Sequence, residues 1–314
     1  MRAMLFKDYG APLEAADLDR PVPKADQILV RSRYSSINPV DWKLASGALR
    51  FIRPIDRPAV PGFDIAGEVA EVGPGVTTFK PGDRVHARIR EGTGGACAEY
   101  ALVGLAVAVH VPAGMDLADA AALPLAGMTA LQGLRDESNM PMNGAKERVL
   151  VVGASGGVGH LAVQVARSAG ATVTGVCSGR NAEWVASLGA HEVIDYTKSN
   201  AFAGKGPFDI VLDCVGGSPS RWTPMLAPGG RFASCVPGPS VFARAALNVF
   251  TSRRVRPVLL NPNAADLQVL DTLYDQDKLR VKLDGRYPLS KLDAAWERSK
   301  SGRAVGKIVV EIDG

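Results

Sequence analysis

Histidine and cysteine are scarce in this chain, with four of each among 314 residues. The cysteines, Cys97, Cys177, Cys214 and Cys235, are not near neighbours and form no C-x-x-C. That argues against a disulfide framework and the common zinc and dithiol motifs, and reduced thiols in a cytosolic protein are expected. His86, His110, His160 and His191 are isolated in sequence and read as surface or core histidines. Long apolar runs are missing too: the longest, residues 101–109, is far too short to span a bilayer. Charge of one sign is also lacking. Thirty-six basic residues against 32 acidic ones leave a net charge of +4, and the basic ones are scattered. Neither nucleic acid nor a membrane is therefore an expected partner. Arg253, Arg254 and Arg256 lie close together and read as a solvated face. The opening MRAMLFKDYG has the pattern of neither a signal nor a transit peptide, and the expected location is the cytoplasm.

What is present is enough apolar residue, 46%, for sizeable cores, and at this length two domains are the better reading. Roughly the first 120 residues are dense in Gly and Pro. They hold short β-type runs at 27–31, 65–72, 84–87 and 100–103, separated by turn signals at 73–75 and 81–83. Residues 116–135, rich in Ala and Leu, predict helix broken near Pro124. From Arg148 the character changes. Apolar runs at 148–152, 172–176, 192–194, 209–213 and 231–235, with a sixth at 257–260, alternate with helical stretches. That alternation predicts βαβ units and a parallel sheet. The tail predicts helices over 264–277 and 289–299 and a closing strand over 307–312.

The first βαβ unit carries the chemistry. Its turn reads Gly153-Ala-Ser155-Gly156-Gly157-Val158-Gly159. The turn follows an apolar strand and opens a stretch whose apolar residues, Val158, Leu161, Ala162, Val165, Ala166 and Ala169, share one helical face. In such a unit the glycines allow a tight turn, close approach of the backbone to a pyrophosphate, and close packing of helix on strand. The helix N-terminus then offers N–H groups and partial positive charge to the phosphates. An NAD site commonly has Asp or Glu at the end of the second strand, for the ribose hydroxyls. Residues 171–182 contain neither and offer Ser178, Arg180 and Asn181. A guanidinium with hydroxyls suits a 2′-phosphate, so the expected cofactor is NADPH.

At this point the chain resembles a known family, the medium-chain dehydrogenase/reductase superfamily, in its zinc-free quinone oxidoreductase and enone reductase branch. The resemblance runs in order along nearly the whole sequence. It is carried by SSINPVDWKLASG (35–47), PGFDIAGEVAEVGPGVTTFKPGDRV (61–85), GGACAEY (94–100), PLAGMTAL (124–131), the glycine turn, GAHEVIDY (189–196) and GRAVGKIVVEI (302–312). It implies an α/β chain of two domains with the active site in the cleft between them. A GroES-like β-rich catalytic domain would comprise residues 1–122 and 263–314. A Rossmann domain with a doubly wound parallel sheet, binding NADPH, would comprise 123–262. Homodimers are common among relatives, so a dimer is an expectation.

Zinc-dependent relatives place a Cys in the first segment and a His-Glu pair in the signature loop. Aligned on the flanking residues, those positions here are Asn38, Phe63 and Asp64. Phe cannot ligate and Asn is a poor partner for zinc, so no metal is expected. Without a Lewis acid, alcohol oxidation lacks its usual route to an alkoxide. Hydride delivery to an enone β-carbon or a quinone ring needs a positioned nicotinamide and donors near the carbonyl oxygen, where charge collects. The candidates are Asn38, to donate an amide N–H; Lys43, to stabilise an enolate or touch the cofactor; and Asp41, to orient Lys43 or cap the following helix. Tyr34 and Tyr100 are possible proton donors. By resemblance Thr129 bonds the nicotinamide amide, and Ser178 and Tyr196 surround the adenosine phosphate; Cys214, Val215 and Gly216 follow the fourth strand and are expected to border the adenine or ribose. The arginine-bearing loop 48–60 either favours an anionic substrate or is simply exposed, and 236–250 is expected to wall the pocket. The reading is a zinc-independent, NADPH-dependent reductase of α,β-unsaturated carbonyls or quinones. One-electron quinone reduction, or a low-turnover NADPH-binding sensor or scaffold, remain the alternatives.

Overall fold

A computed structural model describes residues 1–312. The chain divides into two compact units: Met1–Leu125 with Pro262–Asp275 and the segment from Val281 onward, and Ala126–Asn261 with Gln276–Arg280. The short return of Gln276–Arg280 to the second unit is a feature that the expected boundary at 262/263 lacks.

The first unit opens with a hairpin of β1 (Arg2–Phe6) and β2 (Leu13–Asp17), then builds a mostly antiparallel sheet. Among the described residues its strands are β3 (Gln27–Ser36), β4 (Asp64–Val72), β5 (Arg84–Arg88), β6 (Tyr100–Gly104), β7 (Val109–His110), and later β14 (Leu283–Pro288) and β15 (Lys307–Glu311). They run in the order β14-β15-β3-β4-β5-β7, with β6 also on β3. The tail thus pairs with the beginning: Val309 faces Ser36 and Glu311 faces Tyr34, antiparallel. The β3 strand is longer than its apolar run at 27–31 because it pairs with β4 along Ile28–Ser36 and also serves two further neighbours, β6 along Gln27–Arg31 and β15 along Tyr34–Ser36. One core lies under Ile28, Val30, Ile65 and Val85; another joins Phe6, Ile37, Leu292 and Val310. Helices α1 (Pro39–Ala45) and α2 (Leu117–Ala122) belong to this unit.

The second unit is a wholly parallel sheet of β8 (Arg148–Val152), β9 (Thr172–Cys177), β10 (Glu192–Asp195), β11 (Phe208–Asp213), β12 (Leu226–Ser234) and β13 (Arg254–Pro257), in the order β10-β9-β8-β11-β12-β13. Its order reverses between β8 and β11, the switch point where such sheets bind ligands. The unit contains α3 (Pro124–Gln132, all but its first two residues), α4 (Gly159–Ala169), α5 (Ala182–Ser187) and α6 (Pro239–Ala246). The α4 helix is buried along Leu161–Ala166 and stops at Gly170, a left-handed cap at φ 105°. Pro124 begins α3, as proline does at a first helical position. Segment 236–250, expected to wall a pocket, contains α6.

The sixth strand lies earlier than the predicted 257–260. Arg254 and Arg256 are exposed and Val255 is buried, an alternation suited to an edge strand. Pro257 ends it, since proline has no N–H for a ladder. Helices α7 (Ala264–Asp275) and α8 (Leu292–Lys300) return the chain to the first unit.

Candidate active site

The glycine turn sits between the end of β8 and the start of α4. Gly153 has φ 78°, a left-handed conformation that favours glycine. A Cβ on Gly159 would run into the Gly153 carbonyl and Ala154, so helix and strand can meet this closely only without one. Gly156 differs: a Cβ there would meet only the Gly153 carbonyl oxygen, at 3.4 Å, with open space around it. The N–H groups in the first turn of this eleven-residue helix, which begins at Gly159 after the N-cap Val158, have no partners within the helix, and that of His160 donates to the Gly156 carbonyl at 3.1 Å. A turn of this shape at a helix start fits a pyrophosphate.

At the end of β9 the Asn181 amide donates to Ser155 Oγ at 3.1 Å and to Ser178 Oγ at 3.4 Å. That ties the glycine turn to the following turn. Arg180 is exposed beside them. The next strand brings a carboxylate that sequence reasoning missed. Asp195 stands opposite Cys177 in the register. It accepts from the Thr197 hydroxyl at 2.7 Å and backbone N–H at 3.0 Å, and a Cβ on Gly179 would collide with it. The Thr197 hydrogen bonds hold its carboxyl below the usual carboxylate range. Neighbouring Tyr196 is 56% exposed. Beyond β11, Asp213 Oδ1 accepts from the backbone N–H of Val215 and Gly216 at 3.1 and 3.0 Å, and Val215 is 62% exposed. A Cβ on Gly153 would press on Val215, so this loop borders the glycine turn. The Cys214 thiol lies 4.0 Å from that of Cys235. Thr129 is buried on α3.

In the first unit, Asn38, Asp41 and Lys43 are set by α1, but their surroundings differ. Asp41 caps the helix: the Asn38 backbone N–H donates to its Oδ2 at 2.7 Å. Its other oxygen is buried without a hydrogen-bond partner, and burial pushes its carboxyl up to about 7. Lys43 is half-buried, with Nζ 5.5 Å from the centre of the Trp42 ring. Asn38 is 2% exposed and fully engaged. Its amide donates to Asp64 Oδ2 at 2.8 Å and Ser36 O at 3.3 Å, and its Oδ1 accepts from Lys307 Nζ at 2.6 Å. Both amide hydrogens are in use. The expectation that Asn38 donates to a substrate carbonyl is therefore corrected: the side chain is a member of a buried network.

Two other readings change. The Arg53 guanidinium donates to the backbone of Arg90 and Gly92 at 3.3 and 2.9 Å, and Arg57 pairs with Asp8 at 2.6 Å over the Tyr9 ring. These arginines pin loop 48–60 to the body of the unit. Tyr34 donates its hydroxyl to Glu311 at 2.9 Å, and Tyr100 lies under the Arg20 guanidinium at 4.2 Å.

A family model described as alcohol dehydrogenase GroES-like domain matches residues 24–115, and one described as zinc-binding dehydrogenase matches 188–310. A chloroplast envelope quinone oxidoreductase homolog of Arabidopsis thaliana is 40% identical over 99% of this chain and 98% of its own length. An NADPH-dependent alkenal/one oxidoreductase of the same plant is 32% identical over 99% of this chain and 79% of its own. The solved structure of a quinone oxidoreductase from Coxiella burnetii superposes with a TM-score of 0.89 at 30% identity, covering 100% of this chain and 99% of that one.

The zinc in one of those descriptions does not fit the residues present. Phe63 is fully buried with no donor atom, and the Arg88 guanidinium lies 4.4 Å from its ring centre. Asn38 Oδ1 and Asp64 Oδ2 face the Lys307 ammonium, a cation that would repel a second one. Among the described residues no group of three His, Cys, Asp or Glu side chains is placed to hold a metal ion.

Proposed function

The chain belongs to the medium-chain dehydrogenase/reductase superfamily, in its quinone oxidoreductase and enone reductase branch, and from that premise we propose a zinc-independent enzyme that carries hydride from NADPH to an α,β-unsaturated carbonyl or a quinone. It is an oxidoreductase with a nicotinamide cofactor. The observation that carries the finer reading is the turn at Gly153–Gly159, with Ser178 and Arg180 at the end of the adjoining strand.

When bound, the cofactor supplies the hydride. The chain's part is to hold it and to receive the charge that develops on substrate. Backbone N–H groups at the start of α4 bind the pyrophosphate. Arg180 and the Ser178 hydroxyl meet the 2′-phosphate, Tyr196 flanks it, and Val215 with Cys214 borders the ribose. Asp195, held ionised by Thr197, adds a negative charge on the next strand that the Arg180 guanidinium has to outweigh for a 2′-phosphate to bind. Thr129 orients the nicotinamide amide. With Asn38 committed to Lys307 and Asp64, the remaining candidate for enolate stabilisation on α1 is the Lys43 ammonium. A positioned charge in a partly desolvated site is the kind of group that lowers the barrier to enolate formation.

The test is NADPH oxidation after chelator treatment, against a panel of small enones, alkenals and quinones, with NADH beside it. Turnover that survives the chelator and prefers NADPH is expected. Tight NADPH binding with no turnover on any member would favour a binding protein, and stoichiometric zinc with activity lost to the chelator would overturn the metal-independent reading.

A further inference from the structure

Lys307 opens β15 and is 269 positions from Asn38, yet its side chain is 4% exposed. An ammonium has three hydrogens to donate and nothing to accept with. Nζ donates to Asn38 Oδ1 at 2.6 Å and to the Ile37 carbonyl at 3.1 Å, and Asp64 Oδ2 lies 3.9 Å away. Asp64 is itself held on every side. Its Oδ2 accepts from Ser36 Oγ at 2.7 Å and Asn38 Nδ2 at 2.8 Å, and its Oδ1 from the Leu125 N–H at 3.0 Å. An amide oxygen, a backbone carbonyl and a carboxylate thus converge on one point. That is a set of oxygens suited to a cation, and a side-chain ammonium fills it. Arg88 pairs with Asp64 in the β4–β5 register, but its guanidinium lies over the Phe63 ring and donates to the Ile89 carbonyl at 3.0 Å.

We propose that Lys307 is the built-in cation of this cluster, in the place where zinc-dependent relatives hold a metal, and that it positions α1 and so Lys43 for the reaction. Ile37 and Asn38, the two residues it grips, immediately precede Pro39, the first residue of α1. A seven-residue helix is too short to hold its own geometry in water, and its start is fixed from outside. The orientation of the Asn38 amide is set by its partners, since the ammonium only donates and the carboxylate accepts. The β15 strand is in turn locked to β3 through Val309 and Ser36. Strand, ammonium and helix start therefore form one unit. Lys307 touches no reacting atom; it is a positioning residue, and its kinetic role rests on the function proposed above.

The experiment is a double-mutant cycle of Lys307→Met and Asp64→Asn, read by Tm, by NADPH affinity, and by kcat and KM for 1,4-naphthoquinone. Lys307→Met removes the larger of the two positive influences on a buried carboxylate, leaving Arg88 as the other, and lowers Tm. The double variant removes both charges and recovers much of that loss. Its kcat stays about tenfold or more below that of the unaltered chain while NADPH affinity changes less than about twofold. Additive Tm losses would overturn the cation assignment. A double variant with full kcat would overturn the positioning role. If the unaltered chain turns over neither quinone nor enone, the proposed function fails, whereas the Tm cycle still reports on the cation.

Discussion

Arg180 and Asp41 carry charge in opposite circumstances, one exposed and one buried, and each gives a separate test. If Arg180 meets the 2′-phosphate, Arg180→Ala weakens NADPH binding about tenfold or more and leaves NADH nearly unchanged, as loss of a charge-assisted bond should. Fluorescence titration with both cofactors checks this, and equal loss would remove the assignment. Asp41 has a folded carboxyl near 7 against 3.8 for an unperturbed one. Between those values the folded chain binds the proton that the unfolded chain releases. Its contribution to stability is therefore highest below about pH 4 and falls as pH rises through about 7. Asp41→Asn, which can still accept the Asn38 N–H, should flatten the fall in Tm between about pH 5 and pH 8 relative to the unaltered chain. An unchanged slope would mean that burial does not hold this carboxyl up. Lys43→Met should lower kcat about tenfold with NADPH affinity intact, if its charge faces the enolate. All three residues were found from sequence, because each lies in a short motif. What the motif could not reveal was Asn38's role, which depends on a lysine near the other end of the chain.

The glycine turn separates two roles that the sequence shows as one motif. Gly159→Ala drives a Cβ into the Gly153 carbonyl, so it should lower Tm and NADPH affinity together. Gly156→Ala adds a methyl to open space; it should leave Tm within about 1 °C and weaken NADPH by about tenfold, because the backbone must approach the pyrophosphate there. Thermal melts and titrations of both variants test this, and equal destabilisation would refute the distinction. Elements with contiguous apolar runs, such as β8 and β11, were readable because buried strands of parallel sheets are apolar on both faces. The hairpin β1–β2 and β14 were not. Burial on β2 and β14 is partial and mixed, so their pattern resembles that of a loop, whereas β1 is buried along Ala3–Phe6 and is a short run whose partner strand gives no signal. The sixth strand was placed late because exposed arginines on β13 mask a single buried valine.

The parallel sheet ends at β13, whose outer edge has no neighbour in the order β10-β9-β8-β11-β12-β13. Phe250 and Val249, just before it, are 82% and 79% exposed. An open strand edge beside exposed apolar residues invites pairing with another copy. A dimer joined there should appear in light scattering at micromolar concentration, and Phe250→Glu should shift it to monomer; a monomeric unaltered chain would end the idea. The sequence by itself determined the dinucleotide turn, the alternation that makes a parallel sheet, and the residues at the positions of a zinc site, since each of these is local in the chain. Only the tertiary structure decided what fills that site. Lys307 reaches Asn38 and Asp64 because β15 pairs with β3, and pairing between distant segments is set by the packing of the whole unit, which no short stretch of sequence encodes.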